Sequence, residues 1–111
     1  MIELIVKEYL SKTLNIPIVF EHQKNLHKQF IVIQKTSGSR ENFLNSSTIA
    51  IQSYGASMFE AAKLNEKIKN LMYDLITVSE VSKVSLNSDY NYTDLETKEY
   101  RYQAVFDIHY Y

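Results

Sequence analysis

The side chains best suited to chemistry in this chain are its three histidines, His22, His27 and His109. Imidazole binds metals and transfers protons near neutral pH, so their surroundings decide whether a site exists. His22 and His27 are five residues apart, and no carboxylate stands at the spacing of a third metal ligand. No Ser or Asp is paired with His109 in a catalytic motif. We therefore predict no metal site and no catalytic residue.

Two further stretches contain the atoms of a binding loop without its spacing. Asp89, Asn91, Asp94 and Glu96 supply carboxylate and amide oxygens, but the glycine of a calcium loop is missing. The segment TSGSRE (36–41) lacks the spaced glycines and the Lys-Ser/Thr end of a phosphate-binding loop. Tyrosines suited to base stacking have acidic neighbours, which repel phosphate. We expect no cofactor, no enzymatic activity and no specific nucleic-acid binding.

Composition limits the protein to one domain, 1–111, with 45% hydrophobic residues and a formal net charge of −1. The absence of cysteine excludes disulfides and thiolate metal sites. No apolar run approaches the roughly 20 residues that span a bilayer, so we expect no membrane partner. The first residues lack the basic start and cleavage site of a signal peptide, and we expect assembly in a cytoplasm.

The elements that must position any site follow from the hydrophobic periodicity. Apolar residues at helical spacing begin at Ile2, and Ser57 followed by Glu60 forms a capping box that opens a second helix. That helix buries a stripe that runs from Ala61 to Ile76. The predicted elements are a helix over 2–14, strands over 18–22, 30–36 and 48–54, the helix after Ser57, and strands over 81–86 and 98–111.

These elements predict an α+β fold in the order α-β-β-β-α-β-β. We expect a mostly antiparallel or mixed sheet of four to five strands, with two helices packed on one face. Four successive apolar residues predict that strand 30–36 is covered on both faces. The strand over 48–54 is expected to lie antiparallel to it.

Three segments are predicted as connections because they are polar: 23–29, 37–47 and 87–96. The second, SGSRENFLNSS, contains Phe43 and Leu44, which favour contact with the protein's own core or with another subunit. We expect this segment to be a mobile loop that becomes ordered against a partner, at a cost of roughly 1–2 kcal/mol per residue.

The last strand is long and rich in tyrosine, with Tyr100, Tyr102 and Tyr110 on one face. At a sheet edge, its backbone groups would be a template for a neighbouring chain. Alternatively, it pairs with the protein's own strands on both sides. Periodicity leaves both arrangements open.

Several segments together resemble the phage tail terminator family. STIAIQSYGASMFEAAKLNEKIKNLM (47–72) is similar to a strand that ends in V-Q-x-[W/Y]-G and enters a helix with alanines in its first turns. FIVIQKTSG (30–38) resembles a strand that ends in Thr-Gly-Gly, with Ser37 at the first glycine. YRYQAVFDIHY (100–110) resembles the family's Arg-Tyr-Gln strand. The family's proline before the second strand is absent here, where His-Lys-Gln (27–29) stands. The matching residues are Ile51, Gln52, Tyr54, Gly55, Ala61, Ala62, Arg101, Tyr102 and Gln103.

The resemblance implies a structural protein of the virion that assembles as a ring, usually a hexamer, on the finished tail tube. Such a ring stops tail polymerisation and joins the tail to the head-completion protein, without catalysing a reaction. The residues expected at contacts with other subunits or with the tube are Arg40, Phe43, Leu44, Tyr100, Tyr102 and Tyr110.

Other classes of protein stay open at this point. The first is a head-completion or neck connector protein with a similar small α+β fold. A small inhibitor or other binding module would suit the acidic connections. A nuclease-like enzyme would need a convergent His, Glu and Lys cluster, whereas the histidines are scattered along the chain.

Overall fold

The computed structural model describes residues 1–22 and 29–111, which form two helices and a five-stranded mixed sheet in the predicted order. This confirms the α+β class. The helices are α1 (Ile2–Ser11) and α2 (Met58–Tyr73), and the strands are β1 (Ile18–Val19), β2 (Phe30–Glu41), β3 (Leu44–Gly55), β4 (Val81–Asn91) and β5 (Tyr100–Tyr110). The structure does not describe residues 23–28. His27 and all of the predicted connection 23–29 except Gln29 therefore lie outside the described residues.

The strand order is β1-β2-β3-β5-β4, with β1 parallel to β2 and every other pair antiparallel. The terminal strand β5 is therefore interior, paired with β3 on one side and β4 on the other. The edge position considered for it is wrong, because β4 returns alongside it and satisfies its second row of backbone groups. β4 itself is an edge strand and carries two β-bulges, which are typical of protected edges.

A small apolar cluster of Phe30, Val32 and Tyr54 lies on one face of the sheet, whereas both helices pack on the other face and bury the main apolar core. Each fully buried aliphatic or aromatic side chain there contributes roughly 1.5–3 kcal/mol to stability. The core side chains are Ile2, Val6 and Leu10 of α1, Leu64, Ile68 and Met72 of α2, and Ile31, Ile33, Ile49, Ile51, Ala104, Phe106 and Ile108 of the sheet.

The ends of the helices follow local chemistry. The α1 helix stops at Ser11 rather than at residue 14, because the backbone tightens there into turns that lead to Pro17. The Ser57 hydroxyl accepts a hydrogen bond from the Glu60 amide at 3.1 Å, as predicted for the start of α2. Ile76, predicted on the buried stripe, is 55% exposed because the chain has changed to a 3-10 turn over Asp74–Thr77.

Gly55 joins β3 to α2 at close range. A Cβ atom at this position would lie 2.5 Å from the backbone nitrogen of Ala61. Glycine therefore allows the first turn of α2 to pack directly against the end of β3.

The predicted loop 37–47 is instead a β-hairpin, in which β2 and β3 pair as far as Glu41 and Leu44. Asn42 and Phe43 form the turn with φ angles of 51° and 66°. Two central residues with positive φ are typical of the type I′ hairpin turn, whose twist matches the flanking strands. Composition alone favoured a loop here, but backbone pairing with β3 overrides it. Similarly, β4 extends to Asn91 and takes in half of the predicted connection 87–96.

Candidate functional site

The sheet face opposite the helices carries paired polar side chains. In the β3–β5 register, Gln52 is opposite Gln103, and Thr48 is opposite Asp107. Directly opposite residues of an antiparallel pair share a face. We define the polar face as the side chains on this side of the sheet, namely Thr48, Gln52, Tyr54, Asn87, Tyr90, Tyr92, Arg101, Gln103 and Asp107.

A chain of hydrogen bonds crosses three strands at the centre of the polar face. The Gln52 Nε2 atom donates to Oε1 of Gln103 at 2.8 Å, and Gln103 donates in turn to the Tyr90 hydroxyl. The Tyr54 hydroxyl donates to Oε1 of Gln52 at 3.4 Å. Gln52 is only 8% exposed, so these bonds offset the cost of burying its amide.

Arg101 lies beside this chain, between two tyrosine rings. Its Nη1 donates to the Tyr54 hydroxyl at 2.9 Å, and its Nε donates to the Tyr92 carbonyl at 2.7 Å. The guanidinium carbon is 4.5 Å from the centroid of the Tyr92 ring. Burial raises the pKa of the Tyr54 phenol, and the Arg101 contacts offset part of that rise. The guanidinium is therefore held in one orientation at the surface.

An aromatic cluster borders the Arg101 end of the face. The Phe30 and Tyr54 rings stack with centroids 4.2 Å apart, and His22 lies 5.6 Å from Tyr54. His22 is exposed, as predicted, and its Nε2 lies 2.6 Å from a carboxylate oxygen of Glu99. These contacts give His22 a structural role at the margin of the face.

The opposite end of the face is organised around Asp107. Its carboxylate accepts hydrogen bonds from the Thr48 hydroxyl at 2.8 Å and the Asn87 amide at 3.0 Å. Both donors, the Asn87 amide first, lower the pKa of Asp107. A negative charge is thus fixed six residue pairs from the Arg101 cation along the same strands.

The tip of the β2–β3 hairpin is the second feature of the surface. Phe43 is 84% exposed, and the Arg40 guanidinium lies 5.8 Å from its ring centroid. Beside the tip is a cleft of about 390 Å³ lined by Ser39, Glu41, Asn42, Leu44, Ser46 and His109. Glu41 and His109 are the titratable groups in this lining, and two such groups on an open surface do not constitute an active site.

The six residues predicted at contacts separate into two ends of the sheet. Arg40, Phe43 and Leu44 gather at the hairpin tip, and Tyr110 lies near them, with its hydroxyl 2.8 Å from Ser47 Oγ. Tyr100 lies roughly 33 Å away, ten residues earlier on the same strand. Tyr100, Tyr102 and Tyr110 are half-buried and lie on the helix-covered side of β5.

Sequence reasoning missed a polar link between α2 and β4. Lys69 Nζ lies 2.6 Å from both Asp89 and Glu66, and Asn65 donates to Asp89 at 2.6 Å. These carboxylates, Asp89 first, raise the pKa of Lys69 above its usual range. Asp89, considered earlier as a calcium ligand, holds the edge strand to the helix instead. Asn65 and Lys69 lie one helical turn apart on α2. This spacing is the sequence feature that could have indicated a shared polar partner for the two side chains.

Among residues 1–22 and 29–111, no three His, Asp or Glu side chains are grouped as metal ligands. Within the same residues, no helix is both long and apolar enough to cross a bilayer. Comparison with known proteins finds no family model that matches the chain and no curated protein that matches it. Function must therefore be argued from the polar face and the hairpin tip.

Proposed function

We propose that this protein is a tail terminator of a long-tailed phage. Several copies, six in the arrangement typical of that family, form a ring on the end of the tail tube. The ring stops polymerisation and presents a surface to the head-completion protein. The protein acts in the virion after assembly in the host cytoplasm, and it catalyses no reaction.

One observation carries this proposal: the two short motifs that resemble the family are partners in space. Gln52 of the first motif is hydrogen-bonded to Gln103 of the second, although 51 residues separate them. Tyr54 of the first accepts a hydrogen bond from Arg101 of the second. The two segments that resemble the family are distant in sequence but form one surface in space. This contact supports a common function for the residues of the two segments.

The physical character of that surface suits recognition by shape. Tyrosine and arginine are enriched at the centres of protein interfaces. The Arg101 guanidinium and the glutamine chain are held by internal hydrogen bonds, so docking orders few additional side chains. Gly55 and Ala61, also part of the resemblance, meet where β3 enters α2 and fix the sheet against the helix.

The proposal is tested in the phage that encodes the protein by deleting the gene and measuring tails by electron microscopy. Loss of a terminator gives overlong tails. Tails of normal length without heads would instead assign the protein to the neck connectors. Normal particles would contradict both assignments.

The role of the polar face is tested by binding of the purified protein to tail tubes in a pelleting assay. Replacement of both exposed rings, Tyr90→Ala with Tyr92→Ala, is expected to weaken binding at least tenfold, as for hot-spot residues. Tyr73→Ala is the matched control, because this ring is 50% exposed on α2 rather than on the sheet. Equal binding by both variants, with unchanged thermal unfolding, would exclude the polar face as the contact.

A further inference from the structure

The hairpin tip holds a bulky side chain in a conformation that glycine normally occupies. Phe43 has a φ of 66°, and left-handed backbone costs a residue with a Cβ roughly 1–2 kcal/mol. The ring is 84% exposed, so it gains little from burial in its own chain. Strain of this kind persists where a side chain is needed at that place, and it identifies candidate functional positions.

A groove with room for an aromatic ring lies between the segment after α1 and the first turns of α2, and its polar lining includes the apolar side chains Leu14, Ile16 and Leu64. Its volume is about 380 Å³. A cavity of roughly 150 Å³ already accommodates benzene, so a phenylalanine ring fits. Its lining comprises Thr13, Leu14, Asn15, Ile16, Gln29, Glu60, Lys63, Leu64 and Lys67.

The tip and the groove are at opposite ends of the molecule. The β3 strand runs twelve residues from the tip to Gly55, which is about 36 Å of extended chain. Gly55 packs against Ala61 in the first turns of α2, beside the groove residue Glu60. Phe43 therefore cannot enter the groove of its own chain.

We propose that the tip of one copy inserts Phe43 into the α1–α2 groove of the next copy. This inference rests on the proposed function, since it names the contact by which subunits would join in the ring. The contact is heterologous, so repetition gives a closed ring when the rotation closes and a filament when it does not. It also gives the strained phenylalanine a partner.

The charges at the two ends support a second copy as the occupant. The tip carries one cation and one anion, Arg40 and Glu41. The groove is bordered by the anion Glu60 and the cations Lys63 and Lys67. Each charge of the tip thus has an opposite charge available in the groove, which favours one docking register over others.

Cysteine cross-linking tests the contact directly, because the natural chain has no cysteine. The double variant Asn42→Cys with Asn15→Cys keeps the Phe43 ring and places one thiol beside it at the tip and one in the groove. Under mild oxidation, both free at high concentration and bound to tail tubes, we expect a ladder of dimers and larger species. Asn42→Cys with Tyr73→Cys is the control, and we expect it to form no ladder, because Tyr73 is exposed on α2 outside the groove lining.

Each outcome either supports or overturns the inference. A ladder from the tip–groove pair in either sample supports it. No ladder in both samples, or a dimer of the same yield from Asn42→Cys alone, which can only join tip to tip, overturns it. If gene deletion gives overlong tails but cross-linking gives no ladder, the terminator function is supported and the tip–groove contact is excluded. If cross-linking gives a ladder but gene deletion gives tails of normal length, the contact is supported and the terminator function is excluded.

Discussion

The two faces of the sheet are stabilised by different physics. The helix-covered face is held by burial of aliphatic and aromatic side chains such as Phe106, which is 0% exposed. The polar face is held by hydrogen bonds between side chains of neighbouring strands, as between Gln52 and Gln103, and at one end by a small apolar cluster that includes Phe30 and Val32. The helix-covered side therefore supplies most of the stability of this small domain. The other side can then present polar groups in fixed positions for recognition.

The largest expected effect is a difference in the free energy of unfolding between variants of two neighbouring β5 residues. The side chains of these residues point to opposite faces of the sheet. Phe106→Ala is expected to lower the free energy of unfolding by about 3–5 kcal/mol, because it leaves a cavity in the core. Val105→Ala is the matched control, because Val105 is half-buried and points to the same side of the sheet as Gln103, and its expected loss is about 1 kcal/mol. Urea denaturation measures both values. Similar losses for the two variants would contradict the contrast between the faces.

A smaller loss of stability is expected when the polar face loses the cation at one of its ends. Arg101→Ala removes two hydrogen bonds to a charged group, and we expect a loss of about 1.5–3 kcal/mol in urea denaturation. Arg101→Lys keeps the charge but not the planar geometry, so it should recover only part of that loss. If the alanine variant were as stable as the natural protein, the hydrogen bonds would not hold this face.

The hairpin tip is expected to respond in the opposite direction. Phe43→Gly should raise the free energy of unfolding by about 1 kcal/mol, because glycine adopts the left-handed conformation without strain. Asn42→Gly is the control, since asparagine tolerates positive φ and little change is expected. Loss of stability in Phe43→Gly would show that the ring packs within its own chain.

The smallest effect is a pH dependence located at Asp107. Its pKa in the folded state is lowered, so the stabilisation is fully present above the unfolded value near 3.9 and is lost as pH falls through the folded value. We expect less than about 1 kcal/mol, since the carboxylate is only partly shielded from water. Urea denaturation between pH 5 and pH 2 should therefore show a shallower decline for Asp107→Asn. Identical curves for the natural protein and Asp107→Asn would show that Asp107 does not contribute to the pH dependence of stability.

Local patterns predicted the fold well where neighbours in sequence determine the structure. The Ser57 cap was predicted and is confirmed. The predicted coverage of strand 30–36 on both faces is confirmed for residues 30–33 and is wrong for 34–36, which are exposed. Composition was misleading at 37–47, where Ser, Gly and Asn favoured a loop. There a hairpin forms because backbone pairing continues as far as the turn at Asn42.

The sequence by itself determined the order of elements and most of the buried stripe of each helix. These depend on the 3.6-residue and two-residue periods and on residue types, which are local properties. Only the tertiary structure decided that β5 is interior and that Gln52 meets Gln103. Pairing between strands some 50 residues apart depends on how the whole chain closes around its core. No local pattern specifies that closure, so the polar face became visible only once the strands were in register.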